Sequence, residues 1–299
     1  MASLKRRKGK VVDHLIYEMK KRPNDFKVIE RIPFTLETMA YPYELDCAAG
    51  DEVPILLLDV ETTGFDATKC GVTELGLTRI AYSPSLGRIT RIENSASFFN
   101  DPGHPIPAEI TALTGISDND VRGKAVTRDD IAHFFSGDVI CVAHNAAFDR
   151  QFAERHLPIP KNLRWACSIN DIDWAGFESK KLSWICYQLG GFFDAHRAEV
   201  DTQALSWVFY KRPDLLQQLM QAVGKRTAVI RAFGSPYEAK DALKAKGFRW
   251  NDGDAGTQKH WSYSCSEEEL ETTMDFLEGF YPARKLAKVE LIDARSRFL

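Results

Sequence analysis

An α/β fold around a mixed sheet, followed by a small α+β module, is the architecture that this chain of 299 residues predicts. Three observations carry that prediction. Three strand-like runs come first, in PILLLDVE, residues 74–82 and Arg88–Phe99. Strand and helix patterns then alternate through DVICVAHN, AFDRQFAERHL, RWACSI, KLSWICYQLG and AEVDTQALSWVFYKR. Hairpin-linked strands followed by such alternation give a mixed sheet rather than an all-parallel one. After Pro213 the order becomes β-α-β-β-α-β, which fits a ferredoxin-like or similar module.

Taken in order, residues 1–50 form an N-terminal extension with one helix over 11–21, ended by Pro23. The domain proper spans residues 51–212. Its first strand, PILLLDVE, is a short apolar run of buried character. The next two strands flank the turn-like SPSLG. Helical stretches follow over 107–114 and 128–135. Within residues 213–299, TAVIRAF reads as a strand and SPYEAKDALKAKG as a helix that ends at Gly247. GFRWN and KHWSYSC read as a hairpin. SEEELETTMDFLEGFY opens on the capping box Ser266 to Glu269, and KLAKVELIDA closes the module.

Composition bounds the function. The hydrophobic fraction of 44% is ordinary for a globular protein, and the net charge of −3 argues against a general nucleic-acid coat, where phosphate neutralisation dominates affinity. It leaves a nuclease open, because bound divalent cations bring their own positive charge. The six cysteines are scattered without a CxxC pair, so they read as free thiols rather than a zinc site or disulfide framework. No segment has the length and apolarity to cross a membrane. With no signal-like start in MASLKRRKGK, a cytoplasmic protein is expected. The cluster Lys5, Arg6, Arg7, Lys8 and Lys10 reads as a solvated start in preference to a phosphate contact.

Asp59 and Glu61 stand two apart on a strand, so both side chains leave the same face. Carboxylates in an apolar strand are costly to bury unless something pairs with them, and a hard divalent cation would do so. Asp149 opens the helix after VICVA. His196 and Asp201 stand at the start of a late helix. Taken singly, each has an ordinary structural reading, such as an acid at a helix start. Together they are four acids and a histidine at strand ends and helix starts. Four converging carboxylates would raise one another's pKa values. Two cations about 4 Å apart would relieve the repulsion and clamp a phosphodiester. A histidine of near-neutral pKa can take the proton of the attacking water.

DVETTG, HNAAFD and HRAEVD resemble the three motifs of the DEDDh (DnaQ-like) 3′–5′ exonucleases. PIPAEITALTGISD and KLSWICYQLG resemble segments between them. The resemblance runs from about residue 55 to about 210. It implies an RNase H-like exonuclease fold with a mixed five-stranded sheet and flanking helices. It implies Asp59, Glu61, Asp149 and Asp201 as ligands of two Mg²⁺ or Mn²⁺ and His196 as general base, with nucleoside 5′-monophosphates as products. By the same resemblance Thr62 and Thr63 would touch the 3′-terminal nucleotide. Asn145 and Phe148 would shape its pocket, and Leu113 and Thr114 would lie against the bases. The implied partner is a DNA or RNA 3′ end, single-stranded favoured, within a polymerase or repair assembly. DNA is favoured over an RNA-trimming activity, and a catalytically idle binding subunit is a further reading. Ser168 stands where relatives often carry Asp-Thr, outside the catalytic set. In the last module Phe248, Trp250, Trp261 and Tyr263 lie among Lys244, Lys246, Arg249, Lys259 and His260. That mixture serves either base stacking or the core of a small domain. QALSWVF superficially resembles a sliding-clamp peptide, but its apolar residues are expected in the core.

Overall fold

The computed structural model describes residues 2–36, 38–253, 256 and 258–298, with side chains from Val12 onward. The basic cluster Lys5 to Lys10 thus lies outside the described side chains. Its backbone continues the first helix, Ala2–Lys21, which begins well before the expected residue 11.

The strands are β1 (Glu30–Arg31), β2 (Tyr43–Glu44), β3 (Val53–Thr62), β4 (Val72–Ser83), β5 (Arg88–Phe99), β6 (Ile140–Ala143), β7 (Arg164–Cys167), β8 (Gly191–Phe192), β9 (Thr227–Ala232), β10 (Arg249–Asn251), β11 (His260–Ser266) and β12 (Lys288–Ile292). The largest sheet has the order β2-β5-β4-β3-β6-β7. Here β3 lies antiparallel to β4 and parallel to β6, so the sheet is mixed. Five of its strands are those expected; β2, two residues from the N-terminal segment, adds a sixth at the edge.

The apolar run of β3 faces both ways because successive side chains alternate across the sheet. Ile55 and Leu57 enter one core with residues of the helices Leu182–Gln188, Ala198–Lys211 and Pro213–Val223. Leu56, Leu58 and Val60 enter the other with Phe134, Phe135 and the helix Ala146–His156. The result is a helix–sheet–helix sandwich. QALSWVF is buried throughout, which keeps it in the core and away from a clamp.

The first core overruns both expected boundaries. Ile32 and Phe34, from the presumed extension, are buried in it, as are Leu215, Leu216 and Leu219 beyond residue 212. Each segment carries apolar side chains that the domain's own helices leave room for, and burying them outweighs leaving them in water.

Of the other strands, β1 and β8 pair in parallel as a two-stranded sheet. β9 to β12 form an antiparallel sheet in the order β10-β11-β9-β12. This is the ferredoxin-like arrangement of a β-α-β-β-α-β chain. Its core holds Ile230, Leu243, Phe248, Trp261, Met274 and Leu277. The chain then returns to the first sheet. The Trp165 amide donates to the Ala294 carbonyl at 2.6 Å. Arg150 is 2% exposed, and its guanidinium donates to the carbonyls of Arg295 and Arg297. Among the described residues no helix is long and apolar enough to cross a membrane. Four cysteines are buried, and none of the six is in a disulfide.

Candidate active site

The acidic residues meet where β3 ends and both helical layers reach the sheet edge. Asp59 and Glu61 share the face of Ile55 and Leu57, beneath the helix that carries Asp201. One oxygen each from Asp59, Glu61 and Asp201 all lie within 4.8 Å of one another. Asp149 comes from the opposite layer, in the first turn of its helix. It is 3% exposed, and its Oδ1 accepts from the Val60 amide at 3.3 Å. All four line one cleft of 170 Å³ with Val60, His144, Asn145, Phe148 and His196. Asp149 stands outside the three-carboxylate group.

The close approach of Asp201 has a cause in β4. Gly76 pairs with Asp59, and a Cβ on Gly76 would lie 2.0 Å from the backbone carbon of Ala198. Only glycine lets the start of that helix rest on the strand. The sequence holds a weak signal for this, a lone glycine inside a strand pattern.

Glu74 fixes the other end of the third motif. It is fully buried opposite Glu61. Arg197 donates to it from Nε at 3.1 Å and Nη2 at 2.9 Å, Ala198 from its amide at 3.1 Å, and Ser97 from its hydroxyl. His196, the preceding residue, has φ +70°, a left-handed conformation that is uncommon outside glycine and often marks function. Its amide and that of Arg197 donate to Asp201 Oδ2 at 2.9 and 3.1 Å. Asp201 thereby shapes the loop that presents the histidine. Among the described residues the His196 ring has no hydrogen-bond partner, and the residue is exposed.

Burial first, and then the neighbouring charges of Asp149, Asp201, Glu61 and Glu74, push Asp59 well above the usual carboxylate range. Burial and the Asp201 and Glu74 charges push Glu61 up to about 8. Burial pushes Asp149 and Asp201 to about 7, against the backbone amides that lower them. Among the described residues no lysine or arginine is ion-paired with any of the four. An all-oxygen donor set under mutual repulsion suits hard divalent cations.

His144 was not singled out by sequence reasoning. Its Nε2–H donates to the Lys180 carbonyl at 2.7 Å, and its Nδ1 accepts from the Ser168 hydroxyl at 2.6 Å. Burial holds its pKa down at about 4, so the ring is neutral at pH 7. Ser168 thus orients a cleft-lining side chain.

The residues expected at the nucleotide divide. Asn145 and Phe148 line the cleft. Thr62 and Thr63 are buried, and neither lines it: the Thr62 hydroxyl donates to the Gly64 carbonyl at 2.7 Å, and that of Thr63 accepts from the Gly71 amide at 3.0 Å. Both hydroxyls close the turn after the strand. Thr114 is likewise buried, its hydroxyl bonded to the Ile110 carbonyl at 2.9 Å. Leu113 is 52% exposed and outside the cleft lining. Phe65, unremarked in the sequence, is 91% exposed and lies edge-on to Phe148 with centroids 6.3 Å apart.

A family model described as exonuclease (RNase_T) matches residues 56–209, just over half of the chain. The chain belongs to this exonuclease family. The match takes in all three acidic motifs, which are of the DEDDh kind, and members of that class depend on divalent metal. Among curated relatives, the PolC-type DNA polymerase III of Clostridium perfringens is 36% identical over 104 residues, covering 34% of this chain and 7% of the polymerase. That of Streptococcus pyogenes serotype M1 is 32% identical over 140 residues, covering 45% of this chain and 8% of the polymerase. This exonuclease-family chain therefore spans less than a tenth of the length of these relatives. A structure of Exonuclease X in complex with 5′ overhanging duplex DNA is similar, with a TM-score of 0.39, 24% identity, and coverage of 57% of this chain and 93% of that one.

Proposed function

We propose that this chain is a metal-dependent 3′–5′ exonuclease that releases nucleoside 5′-monophosphates, with DNA the favoured substrate. The observation that carries the reading is the convergence of Asp59, Glu61 and Asp201 within 4.8 Å in a cleft that also holds Asp149 and His196. Asp59, Glu61, Asp149 and Asp201 would hold two Mg²⁺ or Mn²⁺, which when bound supply positive charge at the scissile phosphate. His196 takes a proton from the attacking water on its unpartnered ring. Asp201 orients that histidine through its backbone amide, and Asn145 and Phe148 form the wall against the terminal nucleotide. Exposed Phe65 offers a ring on which a terminal base can stack.

The DNA polymerases among its relatives favour DNA over RNA and a replication or repair setting, with a polymerase partner and a cytoplasmic location. The full set of four acids and His196 favours an enzyme over an idle subunit. The nuclease body comprises the large sheet together with residues that precede 51 and continue to Val223, and residues 227–292 form the second module. A strand labelled on its 3′-terminal nucleotide tests the polarity. The label should appear first as a nucleoside 5′-monophosphate, and disappear from the products when EDTA is present. Label released first in oligonucleotides longer than one nucleotide would overturn the reading.

A further inference from the structure

The second module carries its own pocket, about 400 Å³ in volume, lined by Tyr237, Lys240, Lys244, Trp250 and Trp261 together with Ser235 and Pro236. None of these belongs to the catalytic cleft. Of the three aromatics in the lining, Trp261 is spent on the module's core and is 6% exposed. The other two are not. Tyr237 is 79% exposed and Trp250 45%, although a small domain gains by burying its large rings.

Both exposed rings are held in place. The Trp250 indole N–H donates to Asp252 Oδ1 at 2.9 Å, and its ring stands edge-on to Trp261 with centroids 5.4 Å apart. Those two tryptophans are direct cross-strand partners on β10 and β11. Lys240 Nζ lies 5.3 Å from the centre of the Tyr237 ring. A pre-oriented ring loses little conformational freedom on binding. Lys240 and Lys244 supply two positive charges, and among the described residues no carboxylate lines the pocket.

Rings open to solvent beside lysines, with no acid in the lining, match the two parts of an unpaired nucleotide, a flat base and an anionic phosphate. We propose that this pocket binds single-stranded nucleic acid, with Tyr237 and Trp250 stacking on bases and Lys240 and Lys244 contacting phosphates. The inference rests on the nuclease reading for its choice of ligand. It assigns the second module the task of holding the strand apart from the catalytic cleft.

The test is equilibrium binding of the full chain to a fluorescently labelled oligothymidylate in EDTA, where hydrolysis is absent. Tyr237→Ala and Trp250→Ala should each weaken binding about tenfold, as expected for the loss of one base–aromatic stack. Lys240→Gln with Lys244→Gln should lower the slope of log affinity against log salt by about 2. Hydrolysis of a chromogenic mononucleotide ester should be unchanged in all these variants, and circular dichroism and a thermal melt equal to wild type report that the second module is folded. Affinity and salt slope equal to wild type would overturn the proposal and leave the pocket to a protein ligand. Failure of the ester assay in the wild type would instead strike at the nuclease reading, so the two failures are told apart.

Discussion

Raising the pH of the metal-free protein should destabilise it, and divalent metal should restore what is lost. The folded chain raises Glu61 from 4.5 to about 8, and Asp149 and Asp201 from 3.8 to about 7. A carboxylate whose folded pKa lies above its unfolded value gives stability that is complete below the unfolded pKa and is lost as pH rises through the folded one. Burial of neutral His144, held at about 4, works in the opposite sense, but only below its ordinary value of about 6.5. A window from about pH 6.5 to 8 therefore isolates the carboxylates. Surface acids held low, such as Asp66 at about 2, contribute nothing to the trend there. Over that window Glu61 alone loses about 2 kcal/mol, at about 1.4 kcal/mol per pH unit. For a body of this size that is a fall in Tm of about 4 to 8 °C. The assay is a thermal melt in EDTA at both pH values, repeated with excess Mg²⁺. Mg²⁺ should raise Tm more at the higher pH, because ligation needs the ionised carboxylates. A metal-free Tm that stays level or rises between the two pH values would refute the reasoning, as would a Mg²⁺ effect of equal size at both.

Gly76→Ala places a Cβ 2.0 Å from the Ala198 backbone; it should lower Tm and abolish hydrolysis together, and wild-type values of both would contradict the account of how Asp201 reaches Asp59. Glu74→Gln keeps the shape but weakens the hold on Arg197. A loss of about 1–3 kcal/mol of stability is expected, with kcat falling more than KM rises; an unchanged kcat would show that the His196 loop sets itself. His196→Ala should cost about 10²- to 10⁴-fold in kcat while Mg²⁺ still raises Tm, and a normal kcat would remove it from the chemistry. Removing residues 293–299 strips Arg150 of two carbonyl acceptors and should lower Tm measurably; no change would mean the returning tail is dispensable.

Much of the fold is legible because β3 and its neighbours carry unmistakable patterns. An apolar run ending in DVE, a hairpin turn at SPSLG, and β-α alternation leave few arrangements open. Asp59 and Glu61 are legible as metal-ligand candidates because carboxylates at the end of a buried strand need a partner, whereas Asp149 and Asp201, at helix starts, stand out only in combination with them. The boundaries are less legible. Ile32 and Phe34 stand outside any strand or helix pattern and Leu215 in an apolar run beyond Pro213, and only the three-dimensional gap they fill reveals which core owns them. A hydroxyl next to a motif can serve as a substrate contact or as a turn closure, so the sequence alone does not show that those of Thr62 and Thr63 close the turn after β3. His144 and Glu74 act through long-range contacts with Lys180 and Arg197 that no local pattern marks, and the approach of Ala198 to Gly76 leaves only the weak signal of a lone glycine in a strand. In the last module the aromatic cluster left core and ligand readings open. Burial separates them, sending Phe248 and Trp261 inward and leaving Trp250 outside.

The most direct test of the central claim is hydrolysis of 5′-labelled single-stranded DNA and RNA of the same sequence, with Mg²⁺, Mn²⁺ or EDTA, by wild type and by Asp59→Ala. The account predicts a ladder shortening from the 3′ end, faster on DNA, that vanishes both in EDTA and in the variant. Pure, folded wild type that shortens neither strand with metal present, or a variant that still produces the ladder, would contradict it.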